Sequence, residues 1–356
     1  MNNKAIIAMS GGVDSSVAAF LMRERGFECM GATMKLFSNE DIDIPRDHSC
    51  CSLDDVEDAR SVAESLDIPH YVFNFSDKFK ETVIDRFISS YEKGITPNPC
   101  IDCNRYLKFD KLFLRAQELS YDYVVTGHYA RIEMGDNGRY LLKKAVDPSK
   151  DQSYVLYSLT QEQLAHTIFP LGELYKTQVR EIAQNNGFIN AKKHDSQDIC
   201  FVQNGKYGDF IRAHSTKALP EGDFVDRSGK ILGRHKGIYN YTIGQRRGLG
   251  LALPQSMYVC EIDVENNRVI LGYDEDLFTT SLDANDLNLI SIESIPAPMR
   301  VKAKVRYAHK EDWATVTQIS ENEIHVEFDV PQRAITKGQA VVLYDGDTVV
   351  GGAVIK

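Results

Sequence analysis

Short apolar runs alternate with amphipathic stretches over about the first 130 residues of the chain. The runs at 5–9, 29–34, 70–75 and 123–126 predict strands, and the stretches between them predict helices. This alternation is typical of an α/β domain in which a parallel sheet carries helices on both faces. Ligands of such sheets bind beyond the carboxyl ends of the strands. We therefore expect the loop after Met9, the strand end at Met34 and the loop at Gly127 to gather around one site.

The pattern changes beyond about residue 206. Before it, two more helical segments are predicted between 161 and 187, with Gly187 as the C-terminal cap of the second. After it, short strand-like runs bounded by glycine or Asn/Asp turns follow at 231–232, 238–243, 258–263, 269–271, 301–307, 314–319, 324–328, 340–344 and 349–355. These runs predict two small β-rich domains with a boundary near 274–282, the last domain being a β-barrel. The predicted domains are 1–205, 206–275 and 276–356.

Composition narrows the possible classes. The chain of 356 residues has a formal net charge of -10, which argues against a general coating of nucleic acid but allows a local basic groove. Seven cysteines form an odd set, so a static disulfide framework is not expected. No export signal and no apolar stretch of the roughly 20 residues that span a bilayer is evident, so we expect a cytoplasmic protein without membrane contact.

The first predicted strand leads into the sequence Ser-Gly-Gly-Val-Asp-Ser-Ser at 10–16. Two glycines allow a sharp turn and a close approach to a ligand, and the amide groups of the following helix start favour an anion. No lysine follows the glycines as a Walker loop would require. The segment resembles the pyrophosphate loop of the ATP-pyrophosphatase superfamily, whose members split ATP between the α and β phosphates. The alternative is a glycine-rich turn capped by Asp14 or Ser15.

Two segments place cysteines where sulfur chemistry is conceivable. Residues 96–104 combine two prolines, which stiffen a loop, with a Cys-x-x-Cys spacing at Cys100 and Cys103. A structural zinc half-site or an inert loop are the alternatives. Cys200 follows an acidic and polar run and precedes an aromatic residue. Taken alone, such a cysteine is more often a small buried apolar side chain than a nucleophile. The Cys50-Cys51 pair lies in a predicted loop, where a structural role or none is expected.

Basic residues are concentrated in the β-rich part of the chain. Residues 234–241 and 245–248 interleave cations with aromatic residues. Lys302, Lys304 and Arg306 alternate along a predicted strand and would project from one face. Both patterns favour binding of a phosphate backbone. An ordinary solvated strand face is the alternative for the second pattern.

With these motifs the chain closely resembles the bacterial tRNA 2-thiouridylase family over its whole length. The resemblance implies an ATP-dependent adenylation of the C2 oxygen of the wobble uridine, followed by sulfur transfer from a cysteine persulfide, with release of AMP and pyrophosphate. It implies ATP and Mg²⁺ as cofactors, a tRNA anticodon loop as substrate, a sulfur-donor protein such as a cysteine desulfurase or sulfur-relay protein as partner, and no resident metal. The fold it implies is an adenine-nucleotide α-hydrolase-like parallel sheet followed by the two β-rich domains.

The family resemblance also implies residue roles. Cys103 would be the nucleophile and Cys200 the persulfide carrier. ATP would be held by Ala8, Met9, Ser10, Gly11, Gly12, Val13, Asp14, Ser15, Met34 and Gly127. The target base and the tRNA would meet Asn98, Pro99, Cys100, Asp151, Gln152, Ser153, Arg306 and Tyr307.

One position departs from the family pattern, and two other classes stay open. Many members have aspartate where this chain has Cys100, so any acid/base role of that aspartate is in doubt here. An adenylating amide ligase would explain the loop at Ser10 but not the two cysteine segments. An iron–sulfur cluster or metal held by Cys100, Cys103 and Cys200 is disfavoured, because a persulfide relay needs only two thiols.

Overall fold

A computed structural model describes residues 3–37, 53–194, 199–202, 205–218 and 220–356. The strands of its N-terminal part are β1 (Lys4–Ala8), β2 (Glu28–Lys35), β3 (His70–Asn74), β4 (Tyr123–Val125), β5 (Ala130–Met134), β6 (Tyr140–Lys144) and β7 (Thr167–Ile168). The helices are α1 (Val13–Glu24), α2 (Leu53–Ser65), α3 (Ser76–Phe79), α4 (Asp85–Glu92), α5 (Pro99–Cys103), α6 (Leu112–Glu118), α7 (Ser153–Leu156), α8 (Gln161–Ala165), α9 (Lys176–Asn185) and α10 (Tyr207–His214). Two π-helical turns, Lys80–Ile84 and Asn104–Lys111, join α3 to α4 and α5 to α6.

The predicted parallel sheet is confirmed. Its strand order is β3-β2-β1-β4-β7, with all pairs parallel. Successive side chains of β1 alternate between the two faces: Ala5 and Ile7 pack with residues of α1, α2 and α9, whereas Ile6 packs with residues of α6. Helices therefore cover both faces of the sheet. Gly187, at φ +66°, lies just after the C-terminus of α9 and terminates that helix, as the sequence predicts.

The middle module contains β8 (Gly222–Asp226), β9 (Ile231–His235), β10 (Tyr258–Asp263) and β11 (Arg268–Gly272), in the sheet order β10-β11-β8-β9. The strand predicted at 238–243 is wrong, because Ile238–Asn240 form a 3-10 turn after Gly237, whose φ is +101°. The side chains of the apolar run at 238–241 are divided between two apolar clusters and do not alternate along one strand. Ile238 and Tyr241 enter the core of this module, and Tyr239 enters a different cluster.

The C-terminal module is a closed antiparallel barrel, as predicted. It consists of β12 (Phe278–Leu289), β13 (Met299–Lys304), β14 (Asp312–Ser320), β15 (Glu323–Arg333), β16 (Ala340–Asp345) and β17 (Thr348–Ile355). Pairing of β12 with both β15 and β17 closes the ring. The strand predicted to run to residue 307 ends at Lys304, so Arg306 lies beyond it.

A hairpin of the N-terminal part joins the barrel. β5 and β6 pair with each other, and Lys143 of β6 pairs with Thr348 of β17. Arg131 reinforces the junction, since its Nη2 lies 2.7 Å from Oδ2 of Asp347. The connecting turn contains Asn137 and Gly138, a strong hairpin signal between apolar runs that the sequence analysis did not use. Among the described helices, none has the length and apolar character needed to cross a membrane.

Candidate active site

The carboxyl ends of β1, β2 and β4 bring three loops together. Ala8 is in register with Ala32, and Ile7 is in register with Val125. The loop after β4 lies directly against the start of α1, because a β-carbon on Gly127 would come within 2.9 Å of the carbonyl carbon of Asp14 and the nitrogen of Ser15. This position therefore accepts only glycine without a shift of backbone.

The loop between β1 and α1 is organised by its own serines. The Ser10 amide donates to Ser15 Oγ at 3.2 Å, and the hydroxyls of Ser15 and Ser16 donate to the Gly12 carbonyl, each at 3.0 Å. Gly12 is the N-cap of α1, and no side chain caps this helix end. Neither Asp14 nor Ser15 is the N-cap residue, although the Ser15 hydroxyl accepts a hydrogen bond from the Ser10 amide within this turn. Gly11 has φ +71°, and a β-carbon there would clash with the backbone of Asp55.

Two lysines that the sequence analysis missed lie beside this loop. Lys176 Nζ lies 2.6 and 2.8 Å from the carboxylate oxygens of Asp14, which also accepts a hydrogen bond from the Tyr129 hydroxyl at 2.8 Å. Lys193 Nζ donates to the Gly11 carbonyl at 3.3 Å and contacts the carboxylate of Asp55 at 2.6 Å. Both come from α9 or just after it, more than 150 residues beyond the loop, so no local motif indicates them. Both ammonium groups are paired with carboxylates beside a loop suited to phosphate, Lys176 with Asp14 and Lys193 with Asp55 and Asp58.

The other two loops add a thioether and a neutral imidazole. Met34 is partly buried at the end of β2, between two apolar clusters. His128 is buried, and its Nδ1 lies 2.7 Å from the Thr126 hydroxyl. Burial, with a smaller contribution from Lys108, holds the pKa of His128 well below its ordinary value, so this ring is neutral at physiological pH.

The Cys-x-x-Cys segment forms the first turn of a helix. The Asn98 side chain accepts a hydrogen bond from the Cys100 amide at 3.2 Å, and Pro99 occupies the first helical position. Cys100 is exposed, whereas Cys103 is partly buried. Burial raises the pKa of the Cys103 thiol to about 11, against a smaller opposing effect of Lys108. Cys103 is therefore protonated at neutral pH in this arrangement.

Cys103 and Cys200 lie against the same apolar cluster. We call this group the aromatic cluster; its members include Phe79, Phe87, Phe201, Phe210 and Tyr239. Both cysteines pack on it as partly buried residues, although they are 97 positions apart in the sequence. The cysteines of the described residues, Cys29, Cys100, Cys103, Cys200 and Cys260, are all thiols. The structure thus brings the two predicted relay cysteines to one cluster. Cys50 and Cys51, and the polar run at 195–198 before Cys200, lie outside the described residues.

A three-ligand metal site is not assembled by the described part of the chain. No group of three His, Cys, Asp or Glu side chains among those residues converges on a common point. Cys100 is exposed on its helix, while Cys103 and Cys200 pack on the aromatic cluster.

The cysteine segment is held by the two β-rich modules. The Thr96 amide donates to the Lys337 carbonyl at 2.9 Å, and Gln339 Nε2 donates to the carbonyls of Thr96 and Pro97 at 2.9 and 3.2 Å. Thr96 also meets Thr242 of the middle module, with the hydroxyls 3.5 Å apart. On the far side of the thiols, Arg105 pairs through both terminal nitrogens with the carboxylate of Asp286. The barrel therefore anchors the segment on both sides of Cys100 and Cys103.

The predicted tRNA residues at 151–153 make contacts within the protein. Asp151 Oδ1 accepts from the Ala145 amide at 3.1 Å, and its Oδ2 accepts from the fully buried Ser153 hydroxyl at 2.8 Å. Gln152 and Tyr129 exchange two hydrogen bonds of 2.9 Å. These contacts fix the segment between the loops at the carboxyl edge of the sheet and the barrel.

Arg306 and Tyr307 lie at junctions between modules. Arg306 Nη2 donates to the Ile243 carbonyl at 3.0 Å and also contacts Thr336 Oγ1, and burial lowers the pKa of its guanidinium. Because β13 ends before it, the expectation that Arg306 shares one strand face with Lys302 and Lys304 is wrong. Tyr307 is 44% exposed, and its hydroxyl donates to the Asp151 carbonyl at 3.2 Å.

The basic patch of the middle module is only partly as predicted. Arg246 and Arg247 are exposed. Tyr239 and Tyr241, however, are buried, so the aromatic residues of this run do not lie on the surface beside the cations. Their burial follows from the 3-10 turn, which directs the run into the core.

The chain is similar to known proteins over its whole length. Sequence profiles match three successive regions: the tRNA methyl transferase HUP domain at 3–204, the tRNA methyl transferase PRC-barrel domain at 208–273 and the aminomethyltransferase beta-barrel domain at 279–355. The whole chain is 53% identical to 99% of the tRNA-specific 2-thiouridylase MnmA of Clostridioides difficile (strain 630). It is 52% identical to MnmA 2 of Caldanaerobacter subterraneus subsp. tengcongensis, covering 98% of that protein. With MnmA of Acetivibrio thermocellus the identity is 51%, over 99% of both chains. The chain therefore belongs to the tRNA-specific 2-thiouridylase family.

Proposed function

We propose that this protein is a tRNA-uridine 2-sulfurtransferase that adenylates the C2 oxygen of a wobble uridine with ATP and replaces that oxygen with sulfur. The proposal is carried by two features found in the same chain. One is the Ser-Gly-Gly loop before α1, whose N-cap residue is Gly12. The other is that two thiols distant in sequence, Cys103 and Cys200, pack on one apolar cluster. Relatives named 2-thiouridylases match the chain end to end, so each part of this arrangement falls inside the match. We assign the ATP and sulfur chemistry to residues 1–205, and tRNA contacts to 206–275 and 276–356.

The adenylation step uses the loops at the sheet edge. The C2 oxygen of uracil is a poor leaving group. When this oxygen attacks the α phosphate of ATP, pyrophosphate leaves and the oxygen becomes adenylated. The adenylated oxygen can later depart as part of AMP, which is a good leaving group. Met9 to Ser15 would hold the departing pyrophosphate, Met34 and Gly127 would border the adenosine, and Lys176 and Lys193 would balance phosphate charge. Mg²⁺ is bound by one or two carboxylates together with substrate phosphates. Asp14 could take such a role only by giving up its contact with Lys176 Nζ, and the ion would then neutralise phosphate charge in place of that ammonium.

The sulfur step uses the two thiols. A persulfide on Cys200, loaded by a donor such as a cysteine desulfurase or a sulfur-relay protein, attacks C2 through its terminal sulfur, and AMP leaves. The Cys103 thiolate then attacks Cys200 Sγ, which breaks the sulfur–sulfur bond, leaves sulfur on the base and forms a Cys103–Cys200 disulfide. With a pKa of about 11, Cys103 is thiolate in only about one molecule in ten thousand at pH 7. We infer that substrate binding moves or deprotonates this thiol before it acts.

The tRNA is proposed to reach the site with its wobble base turned out of the anticodon stack. Such extrusion costs a few kcal/mol and is easier in a loop than in a duplex. Asn98, Pro99 and Cys100 would meet the base, and the exposed Arg246, Arg247 and Tyr307 would contact the backbone. The contacts of Arg306 and of 151–153 within the protein favour a supporting role in holding this surface together. A tRNA substrate and an intracellular sulfur donor both support a cytoplasmic location for this protein.

The nucleotide product tests this proposal. With ATP, Mg²⁺, a sulfur donor and tRNA, the protein should release AMP and pyrophosphate, and Asp14→Ala should abolish this release. ADP as the main product, or ATP cleavage triggered by an amino acid without tRNA, would contradict it. Replacing Arg246 and Arg247 together with alanine should weaken tRNA binding and flatten its salt dependence by roughly one unit of slope per lost phosphate contact.

A further inference from the structure

The disulfide formed in the proposed sulfur step would lie on the aromatic cluster, partly shielded from reductants. Cys103 and Cys200 both pack against this cluster as partly buried residues. A small thiol could enter this region. A dithiol protein is a bulkier reductant, because its active site must dock against the surface of its target, and it reaches a shielded disulfide less easily. A turnover that ends with a partly buried disulfide would therefore be completed faster through a more exposed thiol.

Cys100 supplies an exposed thiol next to that position. It lies three residues before Cys103 on the same helical turn, and residues with this spacing have β-carbons about 5–6 Å apart. A disulfide needs about 3.5–4.5 Å, so a small adjustment of the first turn suffices. The two thiols face different surroundings: Cys100 is exposed to water and Cys103 packs on the aromatic cluster.

We propose, on the basis of the proposed function, that Cys100 is a second resolving thiol that moves the disulfide from Cys103–Cys200 to Cys100–Cys103 at the protein surface. The Cys100 thiolate attacks Cys103 Sγ, the Cys103–Cys200 bond breaks, and Cys200 leaves as a thiolate ready for a new sulfur. No electrons are gained or lost in this exchange. An external dithiol then reduces the Cys100–Cys103 disulfide, giving two electrons and becoming a disulfide itself.

The electrostatics of the segment agree with the short separation. The negative charge of Cys100 contributes to the raised pKa of Cys103, after the larger effect of burial, and also contributes to the raised pKa of Tyr307. Cys100 therefore lies close to both Cys103 and the exposed ring of Tyr307, where a partner could approach. Water stabilises a thiolate at the exposed position, whereas the aromatic cluster stabilises the neutral forms of sulfur.

The experiment maps the disulfide directly. The full-length protein is equilibrated in a glutathione redox buffer, quenched in acid, alkylated and cut before aspartate residues, which separates Cys100 from Cys103 at Asp102 and places Cys200 on a third peptide. We expect a Cys100–Cys103 disulfide with alkylated Cys200 in the wild type and in Cys260→Ser, and a Cys103–Cys200 disulfide in Cys100→Ser. A wild-type protein with a Cys103–Cys200 disulfide and alkylated Cys100 would overturn the proposal.

Kinetics give a second readout. Reduction of the oxidised protein by thioredoxin should be at least tenfold slower in Cys100→Ser than in the wild type, whereas reduction by dithiothreitol should differ little. Equal rates with thioredoxin would overturn the proposal. Nucleoside analysis of tRNA added to the same preparation reports separately on the proposed function, because the disulfide map requires no tRNA.

Discussion

Replacement of Lys176 by methionine tests the charge arrangement beside the loop at Ser10. The substitution keeps the length of the side chain and removes the ammonium that lies 2.6 and 2.8 Å from the Asp14 oxygens. The Lys176 side chain is 10% exposed and that of Asp14 is 31% exposed. Surface pairs contribute about 0–1 kcal/mol, and loss of one partner of a fully buried pair costs about 3–5 kcal/mol. For this intermediate case we expect a loss of about 2 kcal/mol.

The assay is urea unfolding at pH 7, together with the rate of AMP formation. A loss of about 2 kcal/mol corresponds to a roughly 30-fold change in the unfolding equilibrium constant. The urea midpoint should fall without a change of slope, since the surface exposed on unfolding stays the same. Because Asp14 lies in the first turn of α1, AMP formation should fall at least tenfold. Tyr129→Phe, which removes one hydrogen bond to the same carboxylate, should have a smaller effect of about 1 kcal/mol.

A matched control and a double-mutant cycle make the reasoning refutable. Lys192→Met removes an exposed lysine from the same region and should change neither quantity. In an Asp14→Asn background, Lys176→Met should cost clearly less than in the wild type, because its partner charge is already absent. Equal costs in both backgrounds, or a Lys176→Met variant as stable and active as the wild type, would refute the assigned pairing.

Three further predictions concern the loop, the thiol and its anchor. Gly11→Ala should lower the free energy of unfolding by about 2–4 kcal/mol, since it adds left-handed strain and a clash with the backbone of Asp55. The β-carbon of Gly12→Ala would meet only Ser10 Oγ at 3.5 Å. This second variant should therefore keep its stability in thermal melts but cleave ATP more slowly. Alkylation of Cys103 by iodoacetamide should rise about tenfold per pH unit up to a pKa of about 11, since only the thiolate reacts; a plateau near pH 8 in peptide mapping would contradict the burial argument. Gln339→Ala removes two hydrogen bonds to the cysteine segment and should lower the rate of sulfur transfer with tRNA affinity unchanged in a filter-binding assay; equal loss of both would indicate general unfolding.

Much of the fold can be predicted from local patterns. The alternation of apolar runs defines the parallel sheet because β1, β2 and β4 are buried on both faces. The barrel strands alternate with clear turn signals. The pattern fails at 238–243, where an apolar run is buried through a 3-10 turn after Gly237. The pattern also misses β8 and β12. β8 is short and contains two aspartates, and β12 is half-exposed and rich in polar residues, so neither reads as an apolar run.

The candidate site is less accessible to sequence reasoning. The loop at Ser10 and the segment at Cys100 are contiguous, so their residue types indicate chemistry directly. The roles of Lys176 and Gln339 depend on contacts across more than 150 residues, which no local spacing encodes. Arg306 shows the opposite error, because a basic residue that seemed exposed by alternation is half-buried at a junction between modules.

Mass analysis of tRNA nucleosides tests the central claim most directly. An unmodified tRNA with uridine at the wobble position is incubated with the protein, ATP, Mg²⁺, and a cysteine desulfurase with cysteine, then digested and analysed. We predict 2-thiouridine at that position, with AMP formed in equal amount, and its loss in Cys200→Ser and Cys103→Ser but not in Cys260→Ser. Unmodified tRNA despite ATP cleavage, or a methylated nucleoside in place of 2-thiouridine, would contradict the account.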